Sequence, residues 1–258
     1  MKKRIIAFAL LLIGLGCIVL AAIKIAAYRK ASEAAQSQFV EMVAVTRPAA
    51  SAAPASADPT ESTQETESAD PFPGPAIDMA ALREQYPDLV GWLWADGLWS
   101  LPIMQGRDNA YWLYHLPDGS WSNGGCLMMD SATAPDLSSG STVIYGHNMI
   151  DGGMLHDLPK FKDPSFLEAH PVMYFYAMDG NTYMCTPFAG YTTSYDDTPE
   201  AFLHTMDDWG AAIARSDFQG ASKPAAGQPV LTLITCISLY GDSRYILHCT
   251  MSKCDTSP

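Results

Sequence analysis

The sequence predicts a mostly β fold, a barrel or a sandwich, for the folded part of the chain. Short runs rich in β-branched and aromatic residues recur between turn-forming residues, and Asp179-Gly180 has the composition of a tight hairpin. Many short strands with few helices are typical of these two architectures. The predicted strands are Gly125–Asp130, Ser141–Tyr145, Val172–Met178, Thr182–Tyr191, Val230–Ile237 and Arg244–Met251.

Two segments have helical patterns. Asp78 is a plausible N-cap for a helix that extends to about Tyr86 and ends before Pro87. Between Pro199 and Arg215, apolar residues recur at helical spacing. We therefore expect a few helices at the periphery of the β fold.

The N-terminus predicts a membrane anchor over residues 1–30. An uncharged apolar run extends from Ile5 to Ile23, and its 19 residues span about 28 Å as a helix, close to the hydrocarbon thickness of a bilayer. Basic residues flank the run on both sides, so charge alone does not orient it. A cleaved signal peptide is the alternative, with Ala26-Ala27 as a poor cleavage site.

Residues 31–76 read as a spacer before a domain at 77–258. From Pro48 to Pro75 the chain is mainly Ala, Ser, Pro, Thr and Glu, a composition that buries too little apolar surface to fold. Residues 31–47 are able to extend as a short helix. The spacer is therefore expected to be largely disordered and to hold the domain away from the bilayer.

Charge argues against nucleic-acid binding. The formal net charge is −13, and residues 77–258 carry all of it, with 8 basic and 21 acidic side chains. Such a domain repels phosphate and has no basic stripe. Nothing in the sequence implies a metal or another cofactor, because its six cysteines form neither a CxxC pair nor a cluster with zinc-ligand spacing.

Two strand ends carry residues with catalytic chemistry. The apolar run Val230–Cys236 ends in a cysteine, polar residues follow, and Arg244 begins the next predicted strand. A second run, Ser141–Tyr145, is followed by Gly146 and His147. On these segments alone, a buried strand cysteine with a surface arginine is an equally good interpretation. A lone histidine after a strand is more often structural or solvated than catalytic.

Together these segments resemble the sortase family. The histidine motif, the cysteine motif and the following arginine occur in the family's order, and upstream motifs are similar to those of class B sortases in particular. The resemblance covers residues 77–252. The upstream motifs are Gly91-Trp-Leu, Leu101–Gly106, Asp108–Leu113, Tyr145–Met149 and Gly153-Met154.

The resemblance implies a closed eight-stranded β-barrel with a few peripheral helices, and a cysteine transpeptidase. Cys236 would be the nucleophile that forms a thioester. His147 would be the general acid and base, and Arg244 would stabilise the carbonyl oxygen or hold the substrate backbone. Thr235 could help to orient this site.

The same resemblance places four residues in the groove for the sorting signal, namely Asn109, Leu113, Tyr145 and Ile234. The alternative is that Leu113, Tyr145 and Ile234 are core residues. The chain departs from the pattern at His156, where relatives often have an aromatic residue, and at Cys126 and Cys249.

The implied partners are secreted proteins with a C-terminal sorting signal and a cell-wall amine as acceptor. The implied location is the cell membrane, with a single pass, the N-terminus inside and the catalytic domain outside. The short polar tail after Met251 lacks the second membrane segment of pilus-polymerising sortases, which favours class B.

Three rival functions remain. Papain-like wall peptidases place the cysteine before the histidine, whereas Cys236 follows His147 by 89 positions. L,D-transpeptidases have a histidine close to a short Ser-x-Gly-Cys motif, which is absent here. A tethered non-catalytic binding module would be indicated by loss of one of the three catalytic residues, and all three are present.

Overall fold

Eight strands close into a barrel in the computed structural model, which describes residues 2–46, 73–194, 209–218, 223–237 and 242–254. This confirms the closed eight-stranded barrel that the resemblance implied. The strands are β1 (Leu89–Ala95), β2 (Trp99–Met104), β3 (Leu127–Met129), β4 (Ser141–Tyr145), β5 (Met173–Ala177), β6 (Thr182–Ser194), β7 (Val230–Cys236) and β8 (Ser243–Lys253).

The strand order determines which residues meet at the end of the barrel. Around the barrel the order is β1, β2, β3, β4, β7, β8, β6 and β5. β4 and β7 are parallel, as are β2 and β3, and the other neighbours are antiparallel. β7 therefore lies between the strand that leads to His147 and the strand that begins near Arg244.

Two of the eight strands were not predicted from the sequence. β1 is apolar throughout and almost entirely buried, so it lacks the alternation that marks a half-buried strand. β2 contains Pro102, which argues against an inner strand because proline lacks an N–H for the ladder. Pro102 pairs with Trp92 of β1, and β2 contacts its other neighbour only through Ile103 and Met104.

The helices are short except for the first. They are α1 (Lys2–Thr46), α2 (Met79–Gln85), α3 (Pro164–Ala169) and α4 (Gly210–Arg215), with 3₁₀ helices at Tyr111–Tyr114 and Leu158–Lys162. The predicted cap of α2 is confirmed, since Asp78 Oδ1 accepts a hydrogen bond from Ala81 N at 3.0 Å. Only the end of the predicted Pro199–Arg215 helix is described, as α4, and residues 195–208 lie outside the described residues.

α1 crosses the predicted boundary between anchor and spacer without a break. Its N-terminal part is long and apolar enough to cross a membrane. Its C-terminal part packs against the barrel domain, where Ala35, Phe39 and Met42 are buried. The predicted disorder of the spacer remains a prediction, because most of the Pro48–Pro75 stretch lies outside the described residues.

A buried histidine lies in the barrel wall, away from the cysteine end of β7. His248 is fully buried, and its ring hydrogen-bonds to Thr232 Oγ1 at 2.9 Å and to the Tyr191 hydroxyl at 3.2 Å. Burial lowers the pKa of His248 to about 3. The folded protein therefore holds this imidazole neutral where an exposed histidine would take up a proton.

This burial predicts acid destabilisation. Below about pH 6.5 the unfolded chain binds a proton that the folded chain binds only near pH 3, so stability falls by about 1.4 kcal/mol per pH unit in that window. Urea unfolding at pH 7 and pH 5 should show this loss in the wild type and a smaller one in His248→Gln. His170→Gln, at the C-terminus of α3, is the control and should match the wild type. An unchanged pH dependence in His248→Gln would contradict the prediction.

Candidate active site

Three predicted catalytic residues meet at one end of the barrel. Cys236, the last residue of β7, is the direct cross-strand partner of Arg244, and such partners project from the same face of a sheet. In the parallel pair of β4 and β7, Tyr145 is level with Ile234. Beyond the end of β4, Gly146 N donates to Ile234 O at 3.1 Å and Asn148 Nδ2 donates to the Cys236 carbonyl at 2.8 Å, which brings the backbone of His147 close to that of Cys236.

Solvent exposure distinguishes Cys236 from the other cysteines of the barrel. Cys236 is exposed, whereas Cys126, Cys185 and Cys249 are fully buried. Burial raises the pKa of these three thiols well above the usual range of a cysteine, so they remain protonated and unreactive at neutral pH. The interpretation of Cys236 as a buried strand residue is therefore wrong, while it holds for Cys185 and Cys249, and Cys126 is buried just before β3.

The ring of His147 is fixed by a backbone carbonyl. Its Nε2 lies 3.0 Å from Leu113 O, and because a carbonyl only accepts, Nε2 carries a proton and donates. The ring also packs against Tyr114, with 5.2 Å between ring centroids. Burial lowers the pKa of His147, and the hydrogen bond to Leu113 opposes that shift. A neutral imidazole with Nδ1 unprotonated is thus favoured at neutral pH.

Two glycines allow the close packing around His147. Gly125 has a positive φ of 49°, and a Cβ there would lie 2.3 Å from the Leu113 carbonyl carbon and oxygen. Gly146 lies between β4 and His147, and a Cβ there would be 2.6 Å from Leu127 and 2.8 Å from Leu155. Any larger residue at Gly125 would displace the carbonyl that holds His147.

Thr235 joins the cysteine strand to the histidine strand. Its buried hydroxyl donates to Gly146 O at 2.8 Å, and Gly146 N donates to Ile234 O at 3.1 Å. This contact lies beside the active site and ties the backbones of the two strands together. This position supports an orienting role for Thr235, and contact of Thr235 with substrate remains a prediction.

Two residues that sequence analysis did not assign to the site connect the loop after His147 to the nucleophile. Asn148 Nδ2 donates to the backbone carbonyl of Cys236 at 2.8 Å. Its Oδ1 lies 2.8 Å from His156 Nδ1, which donates to it. The sequence indicated His156 only as a departure from the family pattern. In the structure, the His156 imidazole orients the Asn148 amide.

A buried carboxylate links two of the predicted groove residues. Asp130 is 1% exposed, and its Oδ2 accepts from Asn109 Nδ2 at 3.0 Å and from the Tyr145 hydroxyl at 2.8 Å. Its Oδ1 accepts from Ala132 N at 2.8 Å. Sequence analysis missed Asp130, since its partners lie 15 and 21 positions away along the chain.

The other two predicted groove residues differ in exposure. Leu113 is half-buried and offers its carbonyl to His147. Ile234 is 1% exposed and packs in a core cluster with Val143 and Ile246. The interpretation as a core residue therefore describes Ile234 well, and contact of any of the four with substrate remains a prediction.

Removal of the Asp130 carboxylate should destabilise this part of the barrel. Asp130→Ala leaves the Tyr145 hydroxyl and the Asn109 amide without their acceptor, which costs about 1–3 kcal/mol per unsatisfied group. Urea unfolding should show a smaller cost for Asp130→Ala in a Tyr145→Phe background, because that background has already lost one donor. Asp136→Ala, at an exposed position, is the control. Additive losses in the double variant would contradict the link.

The described residues contain no group of three or more His, Cys, Asp or Glu side chains placed to hold a metal ion. The site itself consists of a thiol, an imidazole and a guanidinium. The expectation that the enzyme needs no metal remains a prediction.

A closed barrel with an exposed cysteine between a histidine strand and an arginine strand defines a sortase-type protein. Residues 97–252 match the family model of the sortase domain. The chain belongs to the sortase family, whose members are cysteine transpeptidases.

The proteins reported below, which are similar to this chain in sequence, are class B sortases. The chain is 32% identical over 176 residues to sortase B of Listeria monocytogenes, which covers 68% of this chain and 66% of that protein. It is 28% identical over 173 residues to sortase B of Staphylococcus aureus, covering 63% of this chain and 69% of that protein. The matches thus span about two thirds of each relative's length.

A structural comparison agrees in fold. The X-ray structure of Clostridium perfringens sortase B has a TM-score of 0.62 and 22% sequence identity, and the match covers 68% of this chain and all of that one. The resemblance to class B sortases that the sequence motifs indicated is therefore confirmed.

Proposed function

We propose that the chain cleaves a sorting signal in a secreted protein and transfers that protein to a cell-wall amine. The observation that carries the proposal is the placement of an exposed Cys236 directly across from Arg244, with His147 next in sequence to Asn148, whose amide donates to the Cys236 carbonyl. The proposed roles follow from the chemistry of these three groups.

The reaction has two steps. As the Cys236 sulfur attacks the carbonyl carbon of the scissile peptide bond, its proton passes to the free Nδ1 of neutral His147. The C–N bond then breaks, and the resulting imidazolium gives that proton to the leaving amine. An acceptor amine then attacks the thioester, His147 takes a proton from it, and a new amide forms as the thiolate leaves. Arg244 stabilises the charge on the carbonyl oxygen in both tetrahedral intermediates. The reaction is an acyl transfer without oxidation or reduction.

The proposed location follows from α1. Its apolar part spans the membrane once, with the N-terminus inside and the catalytic domain on the outer side, where sorting signals and wall amines are found. The anchor spans residues 1–30 and the catalytic domain spans 77–258. The proposed partners are secreted proteins with a C-terminal sorting signal and peptidoglycan amines.

A transfer assay tests the proposal. The full chain in detergent is incubated with a panel of peptides bearing sorting-type signals and with amine acceptors that include a diaminopimelate-containing wall peptide. We expect one peptide to be cleaved and joined to an acceptor, as detected by the mass of the product. Exchange between wall tetrapeptides without any sorting signal would instead indicate an L,D-transpeptidase. Binding without any cleavage would indicate a non-catalytic module.

A further inference from the structure

The anchor helix is attached to the catalytic domain by packing as well as by the chain. Ala35, Phe39 and Met42 project from one face of α1, are 8%, 3% and 3% exposed, and belong to the same core cluster as the barrel. α1 runs from Lys2 to Thr46 without a break. The position of the helix in a bilayer therefore determines the position of the domain.

The depth of one contact in the membrane follows from helix geometry. Tyr28 lies five residues after Ile23, the end of the uncharged run, which is about 8 Å further along the axis. The headgroup layer is about 5–8 Å thick on each side of the hydrocarbon, and tyrosine is enriched there. The Tyr28 hydroxyl lies 3.8 Å from Met149 Sδ. The loop that carries Met149 is thus at headgroup depth.

Two exposed apolar side chains are close to this contact along the chain. Ile150 is 71% exposed and Trp121 is 65% exposed, the highest values for large apolar side chains in the described part of the catalytic domain. Ile150 follows Met149, and Trp121 precedes Ser122, which lines the cleft between α1 and the domain together with Tyr28 and Met149. Each of these two side chains thus belongs to a residue that is adjacent in sequence to one lining this cleft.

We propose that Trp121 and Ile150 form a membrane contact that inserts into the headgroup layer beside α1. This inference rests on the proposed anchoring of the chain by α1. The occupant of the patch is the lipid interface itself, because α1 holds the patch at that depth at all times. Tryptophan favours this layer, since its ring is largely apolar and carries one polar N–H.

The contact does not depend on attraction to lipid charge. Asp151 adjoins Ile150, and the catalytic domain is strongly acidic, so the domain itself does not draw this face toward anionic headgroups. Proximity comes instead from the covalent link through α1, which gives the patch a high effective concentration at the surface.

The contact orients the active site. His147 lies two residues before Met149, and its neighbour Asn148 is bonded to the Cys236 carbonyl. The catalytic end of the barrel therefore opens beside the bilayer and not toward the far side of the domain. In this arrangement the active site lies beside the membrane, whereas the composition of the spacer predicts a distance between the two.

Fluorescence quenching by lipid tests the contact. All six tryptophans lie in the catalytic domain and α1 contains none, and Trp92, Trp99, Trp112 and Trp209 are buried. The full chain is embedded in phosphatidylcholine nanodiscs, either ordinary or with acyl chains brominated near the headgroup. The Trp121 emission, taken as wild type minus Trp121→Phe, is expected to lose most of its intensity in the brominated discs.

Two matched variants test the role of the docked helix. Phe39→Asp places a charge in the buried contact and should undock the domain, so that most of the Trp121 quenching disappears. Val40→Asp adds the same charge at the neighbouring position, which is 69% exposed. The quenching of Trp121 by brominated lipid should be the same in this variant as in the wild type. Equal quenching in both variants would contradict a contact that depends on docking.

The outcomes separate this inference from the proposed function. Failure of the chain to enter the discs would overturn both the membrane anchor and the contact. Entry without any difference between the two lipids would overturn the contact and leave the anchor standing. If Trp121 emission were the same in both lipids but changed when a sorting-signal peptide was added, the patch would be assigned to substrate binding. This result would also overturn the membrane contact.

Discussion

Cys236→Ala is expected to abolish peptide cleavage and transfer, with kcat reduced on the order of 10⁴-fold or more, as for loss of other catalytic nucleophiles. The reason is chemical, since alanine has no atom that can form the acyl-enzyme. Cys236 is exposed at the end of β7, so the substitution leaves no cavity and should not change the unfolding midpoint in urea. Activity is measured as the rate of peptide cleavage with an amine acceptor present.

Cys254→Ala is the matched control. Cys254 is only half-buried and follows β8, far along the strand from Arg244, and its loss should leave the rate of transfer unchanged. Wild-type activity in Cys236→Ala, or equal losses in both variants, would contradict the assignment of the nucleophile.

Replacement of Arg244 is expected to have the second largest effect. Arg244→Ala removes the guanidinium opposite Cys236 and should lower kcat by about 10²–10³-fold, the usual cost of a lost oxyanion donor. KM should change much less, because the developing charge exists only in the transition state. Steady-state kinetics over a range of peptide concentrations separate the two parameters.

Two variants define what Arg244 contributes. Arg244→Lys retains the charge but loses the planar fork of donors, so partial recovery of kcat is expected. Lys253→Ala, at the opposite end of β8, removes a cation without touching the site and should be neutral. A large rise in KM with unchanged kcat in Arg244→Ala would show that Arg244 binds substrate and does not stabilise the transition state.

The sequence was sufficient to predict three candidate catalytic residues because the signals for them are local. Cys236 and His147 each follow an apolar strand, and the order of the two motifs and Arg244 matches one family. The structure added what the sequence could not indicate, which is the register that makes Cys236 and Arg244 cross-strand partners. Register depends on contacts between distant segments, which no local pattern determines.

The supporting residues were missed for the same reason. Asp130, Asn148 and His156 act through hydrogen bonds to residues that are distant in sequence or lie in another element. An asparagine or aspartate after a strand is as typical of a turn as of a site. Their partners become visible only when the barrel has closed.

The extent of α1 was the other feature that the sequence left open. Residues 31–46 have no strong apolar periodicity, and the sequence indicated only that a helix was possible there. In the structure, burial of Ala35, Phe39 and Met42 against the domain stabilises this segment, as tertiary packing usually does for a helix of marginal propensity. The anchor and the catalytic domain are thereby joined through a packed interface.

The most direct test of the central claim is the mass of the intact protein after it reacts with a cleavable sorting-signal peptide in the absence of any amine acceptor. A thioester on Cys236 predicts a mass increase equal to the N-terminal product fragment, located on the peptide that contains Cys236 and released by hydroxylamine. Cys236→Ala should show no adduct. Cleavage of the peptide at the wild-type rate without any adduct on Cys236, or an adduct on another residue, would contradict the account.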